Sequence, residues 1–560
     1  MGLIVRFRSK DGMYRLSGEG TTMLQQLIEE LVLTKLPPID PETLAASVNG
    51  SVIGNFSSTL SELGFVNGQM VELTYSKVDP EADRSLNGKA TPTTSAAANI
   101  NISSKGNTVN QLPVDNLLDE EKGLIPRERS SLCKHTAKGM CEYCSPLPPW
   151  DGAYHAEHNI KHISYHSHLS HLNSEINHNE SSSYIPPLQS SDFKVKNPCP
   201  SGHSPWPKGI CSKCQPSGIT LKRQTYRMID HVEFQNSIMM NSFIDAWRKS
   251  GVQRIGLLLG TYDKYQKTPL GIKAKVEAIY EFPQHDWDDG IKLEDWIDEE
   301  KVVNLCNNLG LMPLGVIFTD LSDAGNGDGS VICKRHADSF FLSSLEIIFA
   351  VNWQLKYPNI AKYSETGFFS SKFVTCVITG NLNGEIDINC YQASETAEAL
   401  VKADLICAST HPNQMFIKEQ TNERYVPDIM YQMINEYGLE VKKNAKPSFP
   451  VEYLLVSLTH GFPEEEGGMF AKINGWQIEN RGYLGELAGM EQLKKILSQG
   501  ISLQDLQDWH LLLWLGEQDV LSKEEFKLAV DSVREGNSDK FQVLLHSAGW
   551  RTLETICSMS

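Results

Sequence analysis

Metal-ligand chemistry is concentrated in one stretch of this sequence. Between Cys133 and Cys214 lie six of the twelve cysteines and nine of the sixteen histidines. The stretch repeats itself: Lys138-Gly139-Met140-Cys141-x-x-Cys144-x-Pro146 returns as Lys208-Gly209-Ile210-Cys211-x-x-Cys214-x-Pro216. One C-x-x-C pair is a weak signal. Two pairs, each with a Cys and a His upstream, the same glycine before and the same proline after, read as a duplicated metal-binding unit. The second unit is Cys199-x3-His203-x7-Cys211-x2-Cys214. Three thiolates and one imidazole in a short Pro- and Gly-rich loop suit tetrahedral zinc with no open coordination position. In such a segment the metal stands in for a core. By parallel, the first unit is Cys133, His135, Cys141 and Cys144. A competing set replaces Cys133 or His135 by His162 or His166, which stand at i, i+4 in an expected helix. The other histidines of the stretch (155, 158, 168, 171 and 178) read as exposed polar residues. Trp150 and Trp206 read as small local cores or contact residues. The chemistry expected is therefore structural, two closed zinc sites, rather than catalytic.

The bulk composition narrows the function. A net charge of −18 argues against a general nucleic-acid binder, which needs clustered Lys and Arg, and against an anionic membrane surface as partner. No apolar run is long enough to span a bilayer. Met1-Gly2-Leu3-Ile4-Val5-Arg6 has no signal-peptide core, and Arg6 stands where a myristoylation motif wants Ser or Thr. The setting expected is cytosolic or nuclear, where clustered cysteines are ligands rather than disulfides. The six remaining cysteines (306, 333, 376, 390, 407 and 557) stand singly and read as buried small hydrophobes. A length of 560 residues allows three or four domains.

The elements around the cluster predict a multidomain α+β chain. In residues 1–77, the alternating Leu3–Arg8 and the turn at Lys10-Asp11-Gly12 predict a hairpin into Met13–Leu16. Thr22 and Gln25 form a capping box, with Leu24, Leu27, Ile28, Leu31 and Val32 on one helical face up to Pro37-Pro38. Short strands follow at Ser51–Ile53 and Met70–Tyr75. This order resembles the ubiquitin-like β-grasp, of the kind that serves as a UBX-like adaptor module, since no terminal Gly-Gly follows. Residues 78–127 read as a flexible linker, its first part (78–112) rich in Asn, Ser, Thr and Ala. The zinc-finger pair takes 128–220. Residues 226–445 predict a larger α/β unit, with an amphipathic helix at Ser237–Ser250 (Ile238, Phe243 and Trp247 inward) and a buried strand at Arg254–Gly260. Further strands fall at Lys273–Tyr280, Leu314–Asp320, Phe373–Thr379 and Glu385–Tyr391, with a helix at Ser343–Gln354. Residues 446–560 open with a strand at Tyr453–Leu458 and become mainly helical. There Leu503, Leu506, Trp509, Leu512 and Leu513, then Leu544, Leu545, Trp550, Leu553 and Ile556, form core-like stripes.

The 226–445 unit resembles the MPN fold of zinc-dependent deubiquitinases, through Ile255–Gly260, Val276–Tyr280 ahead of Pro283, and Pro313–Asp320 followed by Ser343. Active members of that fold carry G-W-Y-H-S-H and then S-x-x-D, with a separate catalytic Glu. Here Gly315-Val316-Ile317-Phe318-Thr319-Asp320 occupies the first motif, and Ser343-Ser344-Leu345-Glu346 the second. Phe318 and Asp320 replace the two histidines, and a site of carboxylates without imidazole is a poor tetrahedral zinc site. The resemblance implies a kept fold and a lost isopeptidase. No phosphate-binding G-x-x-x-x-G-K-[ST] loop is present either, and Gly325–Gly329 is not a dinucleotide fingerprint.

Over essentially its full length the chain resembles the nuclear protein localization protein 4 family, in its fungal form. The most specific strings are Ser131–His135, Pro205–Cys211, Ile317–Leu321, Phe368–Thr375 and Tyr425–Asp428. Animal members add a C-terminal ubiquitin-binding zinc finger, and only Cys557 stands near Ser560, so that finger is expected to be missing. The resemblance implies a non-enzymatic adaptor with two structural zinc ions. It would bind lysine-48-linked polyubiquitin. With the ubiquitin fusion degradation protein 1 partner it would dock those chains on the hexameric valosin-containing-type AAA ATPase, starting unfolding for proteasomal and endoplasmic-reticulum-associated degradation. It also implies a place in cytoplasm and nucleus, peripheral at the nuclear envelope and endoplasmic reticulum membrane.

Overall fold

The computed structural model describes residues 3–9, 12–18, 22–24, 27–28, 45–48, 51–52, 59–61, 63, 65 and 67–74, and then 109–559 except 130, 137–138, 179–183, 466, 471–475 and 486–488. The chain divides into two units, Met1–Ser95 and Ala96–Ser560.

In the first unit the alternation of Leu3–Ser9 buries Val5 and Phe7 and leaves Arg6 exposed, as a half-buried strand requires. That strand pairs antiparallel with Gly12–Gly18 and parallel with Met70–Thr74. Ala45–Val48 lies against Met70–Thr74, and Ser51–Val52 completes a mixed five-stranded sheet of β-grasp order. Leu24, Leu27, Ile28, Leu60 and Phe65 pack over it. Gln25, Leu31, Val32, Pro37, Pro38, Ile53 and Tyr75 lie outside the described residues. The Ala45–Val48 strand escaped the sequence reading because Ala-Ala-Ser-Val has little β-branched or aromatic content.

The second unit is built on a closed barrel. Its strands follow in the order Ile255–Tyr265, Gly271–Glu281, His231–Phe234, Leu455–Gly461, Ile386–Ala393, Val374–Gly380 and Met312–Asp320, which pairs back onto the first. Successive residues serve opposite faces. Leu258, Ile279 and Ile317 belong to one core, and Leu257, Leu259, Tyr280 and Phe318 to the other. Both faces are covered, which is why Ile255–Gly260 and Leu314–Phe318 read as unbroken apolar runs rather than alternating ones. The Ser237–Ser250 helix covers one face, capped by the Asn236 side chain, which accepts from the Ile238 N–H at 2.7 Å, and ended by Gly251 at φ +75°. Its inward residues are Met239, Met240, Phe243 and Ile244. Ile238, expected inward, is 45% exposed because it sits in the first turn, off the stripe that Phe243 defines.

Two expected boundaries are corrected. Residues 113–119, assigned to the linker, form the helix Pro113–Asp119, which buries Val114 and Leu118 in the same core as Phe243 and Leu258. Seven residues are too few for a periodicity signal. The division at 445/446 cuts the barrel, since Leu455–Gly461 is one of its strands, paired with Cys390–Ala393 and with His231–Glu233. The helical C-terminal region follows that strand. Leu506, Trp509, Leu512, Leu513, Leu544, Trp550 and Leu553 are buried as the stripes predicted, with Leu503, Leu545 and Ile556 half-buried. Two carboxylates of Gly271–Glu281 hold the connecting segment. Glu277 accepts from the Met469 N–H at 2.8 Å, and buried Glu281 binds both Arg254 and Arg481. Among the described residues no helix is long and apolar enough to cross a membrane.

A second buried charge cluster fastens the 113–119 helix. His166 Nε2 lies 2.9 Å from Asp115 and its Nδ1 3.3 Å from Asp119, while Lys372 reaches the other Asp115 oxygen at 2.7 Å. Burial works to lower the His166 pKa, but the two carboxylates outweigh it and the value is raised. Burial works the other way on Asp115, and there Lys372 and His166 win, lowering it. The His166 contribution is therefore fully present below its ordinary value near 6.5 and is lost as pH rises through the raised value. The Asp115 and Asp119 contributions hold above their ordinary value near 3.8 and are lost as pH falls through the lowered ones. His166→Gln is expected to cost about 3 kcal/mol at mildly acid pH, by leaving buried carboxylates short of a cation. In urea denaturation the gap from the unsubstituted chain should narrow at alkaline pH, and a pH-independent gap would exclude a charged His166.

Candidate functional site

Each C-x-x-C folds as the same tight turn. The N–H groups of Cys144 and Ser145 both donate to the Cys141 carbonyl, at 3.0 and 2.8 Å, and those of Cys214 and Gln215 to the Cys211 carbonyl, at 3.1 and 2.9 Å. A backbone N–H in each turn points at a sulfur, Cys141 N to Cys144 Sγ (3.4 Å) and Cys211 N to Cys214 Sγ (3.3 Å). The glycine ahead of each pair makes room for the histidine. A Cβ on Gly209 would lie 2.8 Å from His203 Nδ1, and one on Gly139 would lie 3.1 Å from His135 Cβ. The shared glycine is thus a packing requirement of the ring beside it.

Around these turns two quartets assemble, Cys133, His135, Cys141 and Cys144, and Cys199, His203, Cys211 and Cys214, with the ligand atoms of each within 4.8 Å of one another. In the first, Cys141 Sγ is 3.7 Å from Cys133 Sγ and 3.8 Å from Cys144 Sγ, and His135 Nε2 is 3.1 Å from Cys144 Sγ. In the second, Cys211 Sγ is 3.6 Å from Cys199 Sγ and 3.8 Å from Cys214 Sγ, with His203 Nε2 3.6 Å from Cys214 Sγ. A tetrahedral Zn–S length of about 2.3 Å implies sulfur–sulfur edges of about 3.8 Å, so both quartets fit zinc. The imidazoles are oriented for it. His135 Nδ1 donates to the Thr136 carbonyl at 2.9 Å and His203 Nδ1 to the Ser204 carbonyl at 2.7 Å, which leaves each Nε2 lone pair facing the thiols. The Lys213 backbone and His203 bring the Cys211 thiol down to about 5, toward the thiolate that binds metal. Four protein donors leave no open position for a reacting water, so each quartet can supply folding and rigidity.

The competing ligands lie elsewhere. Both ring nitrogens of His166 are taken by Asp115 and Asp119, and His162, with its pKa lowered to about 4 chiefly by burial, joins neither quartet. Of the histidines read as exposed, His158 and His178 are, and His171 is half-exposed. His155 is buried, and His168 stacks on Tyr226 with ring centres 4.1 Å apart. Neighbouring Leu169 and Tyr165 carry that helix face into the core, a pattern masked by the run of polar residues. Trp206 is a contact residue. Its Nε1 donates to the Thr421 carbonyl at 2.9 Å and its ring meets Tyr425 edge-on, which docks the second quartet's loop on the barrel unit. Cys306, Cys376, Cys390 and Cys557 are buried, whereas Cys333 and Cys407 are only half-buried.

A buried cation, Arg335, lies among Phe318, Asp320 and Glu346. Arg335 donates through Nε to Asp320 at 2.8 Å and through Nη1 and Nη2 to Glu346 at 2.8 and 2.6 Å. Its guanidinium lies over the rings of Phe318 and Phe340, at 5.7 and 5.2 Å, and its side chain is 3% exposed. Lys334 adds a second contact to Asp320 at 2.9 Å. Burial would raise the Asp320 pKa, but Arg335 and Lys334 hold it below the usual carboxylate range. Glu346 does double duty, since it also closes a capping box with Ser343 at the start of the Ser344–Lys356 helix. The sequence reading missed Arg335, which lies in an irregular segment. The available signal was the Lys334-Arg335 pair between two carboxylates that need a cation.

A model of the NPL4 family matches residues 254–558, and a model of that family's candidate zinc-binding region matches residues 109–251. The chain is 48% identical to nuclear protein localization protein 4 of Saccharomyces cerevisiae, covering 100% of both chains. It is 46% identical to the protein of that name from Lodderomyces elongisporus, again over 100% of both, and 48% identical to that of Candida glabrata, over 98% of this chain and 99% of the other. Among solved structures, Caldiarchaeum Subterraneum Ubiquitin is similar over 14% of this chain and 98% of its own, at 17% identity and a TM-score of 0.13. Two family models that together run from residue 109 to 558, and relatives near half identity from end to end, establish that the chain belongs to the NPL4 family.

Proposed function

We propose that this chain is a non-enzymatic adaptor that binds lysine-48-linked polyubiquitin and, together with the ubiquitin fusion degradation protein 1 partner, delivers it to a hexameric valosin-containing-type AAA ATPase. Unfolding then starts on the way to proteasomal degradation, including that of endoplasmic-reticulum proteins. Family membership supports the reading, and one observation carries it. Where a deubiquitinase of MPN type would hold a catalytic zinc and its water, this barrel holds the Arg335 guanidinium clamped between Asp320 and Glu346. A buried arginine cannot lower the pKa of a bound water as a metal does, so the cleft offers a surface and not a reaction.

The zinc ions in this reading are structural, one held by Cys133, His135, Cys141 and Cys144 and one by Cys199, His203, Cys211 and Cys214. They make each loop rigid enough to serve as a contact. Leu132, Met140 and Tyr143 of the first loop, each more than half exposed, are suited to the ATPase ring. The N-terminal β-grasp unit provides a second contact through the linker, so that individually weak contacts act together. The place of action proposed is cytoplasm and nucleus, peripheral at the nuclear envelope and endoplasmic reticulum.

The full chain should retain purified ATPase and lysine-48-linked chains in a pull-down; failure to retain either, with zinc bound and the fold intact, sinks the adaptor reading. Cys211→Ser or Cys214→Ser should release one zinc per chain and weaken ATPase retention several-fold while the barrel keeps its unfolding transition. Normal retention by the double variant would remove the docking role of that loop. Arg335→Met should destabilise the barrel by about 3 kcal/mol, by leaving Asp320 and Glu346 facing each other. Adding Asp320→Asn and Glu346→Gln should restore part of that loss in urea denaturation; no loss in the single variant would mean that the clamp is not formed.

A further inference from the structure

Cys376 and Cys390 stand outside every role described so far. They are direct partners across the antiparallel pair Val374–Gly380 and Ile386–Ala393. A tight connection fixes that register: the Asn381 side chain accepts from the N–H groups of Asn383 and Glu385, at 2.9 and 3.0 Å, and Gly384 takes φ +79°. Both thiols are fully buried, 0% and 2% exposed, and both are free. Their sulfurs lie 3.0 Å apart. That is closer than the 3.6–3.8 Å sulfur–sulfur separations within the two quartets. No third ligand joins them among the described residues, so the pair is not a metal site.

We propose that Cys376 and Cys390 are an oxidisable dithiol, which hydrogen peroxide converts to a disulfide across two neighbouring strands of the barrel. Forming the bond needs the sulfurs to close by about 1 Å, to a length of about 2.05 Å, between residues already in register. One thiol gives up its proton and its sulfur attacks a peroxide oxygen. The O–O bond breaks, leaving a sulfenic acid and a hydroxide that takes up the proton as water. The second thiol loses its proton and attacks the sulfenyl sulfur, expelling hydroxide, which leaves as a second water. Two cysteines are oxidised and the peroxide takes two electrons.

Peroxide is small and uncharged, so it can enter a core that excludes larger oxidants. Burial, then the neighbouring Cys376, pushes the Cys390 thiol well above its ordinary value, so the reaction waits on opening of the barrel and is slow. The strand carrying Phe318 and Asp320 pairs directly with Val374–Gly380, with Ile317 opposite Cys376. The disulfide therefore braces the part of the barrel that carries the arginine clamp.

The test uses the zinc-loaded full chain, treated with hydrogen peroxide, denatured, alkylated with N-ethylmaleimide and digested with trypsin. Residues 373–402 contain no internal Lys or Arg, so both cysteines fall in one peptide. That peptide should lose its two alkylated thiols and become lighter by two hydrogens, a change reversed by dithiothreitol and accelerated by urea below the unfolding transition. Cys376→Ala and Cys390→Ala should each leave a single alkylated or oxygenated thiol. The proposal is overturned if the peptide keeps both alkylated thiols, or gains oxygen without losing hydrogen, under conditions that oxidise the half-buried Cys333 and Cys407.

Discussion

Four residues close the barrel on which the larger unit depends. His231–Phe234 pairs parallel with Lys273–Val276 on one side and with Thr459–Gly461 on the other. The preceding Asp230 fastens both neighbours. Its N–H donates to the Ile272 carbonyl at 2.9 Å, its carboxylate accepts from the Ile272 N–H at 3.0 Å, and its carbonyl accepts from Thr459. Burial raises the pKa of this carboxyl to about 7, so it is held in a place that disfavours its charge. Val232 and Phe234 are completely buried from within this short strand. The quartet loops lead into it, the clamp strand lies across the barrel, and the C-terminal helices begin only after its second partner.

Electrostatics inside that frame follows one pattern. Arg254 and Arg481 meet Glu281, His166 and Lys372 meet Asp115, and Arg335 meets Asp320 and Glu346. Each cluster ties a segment outside the barrel strands to a barrel strand or to its neighbourhood. Buried ion pairs add little net stability over apolar packing, but breaking one by removing a single partner is costly. The clamp belongs to this pattern: Arg335 supplies the cation that the carboxylates of Asp320 and Glu346 need.

Much of this was legible in the residues. The duplicated Cys/His spacing pointed to the residues that the structure gathers into the two quartets, with His162 or His166 left open as alternatives in the first. The unbroken apolar runs at Ile255–Gly260 and Leu314–Phe318 announced strands covered on both faces. What stayed hidden depended on distant pairing. Leu455–Gly461 could not be assigned to the barrel from its own pattern, the Pro113–Asp119 helix was too short for periodicity, and Arg335 has no local motif. His166 was ambiguous because an i, i+4 histidine suits a metal or an ion pair equally, and only the 113–119 helix decides between them.

The central claim is that metal in this chain is confined to two closed structural sites while an arginine fills the cleft of the barrel. Zinc quantitation on the purified full chain, combined with X-ray absorption at the zinc edge, tests it directly. The account predicts two zinc ions per chain, each with three sulfurs and one nitrogen. A third zinc with an oxygen-rich shell, lost on substitution of Asp320 or Glu346, would contradict it.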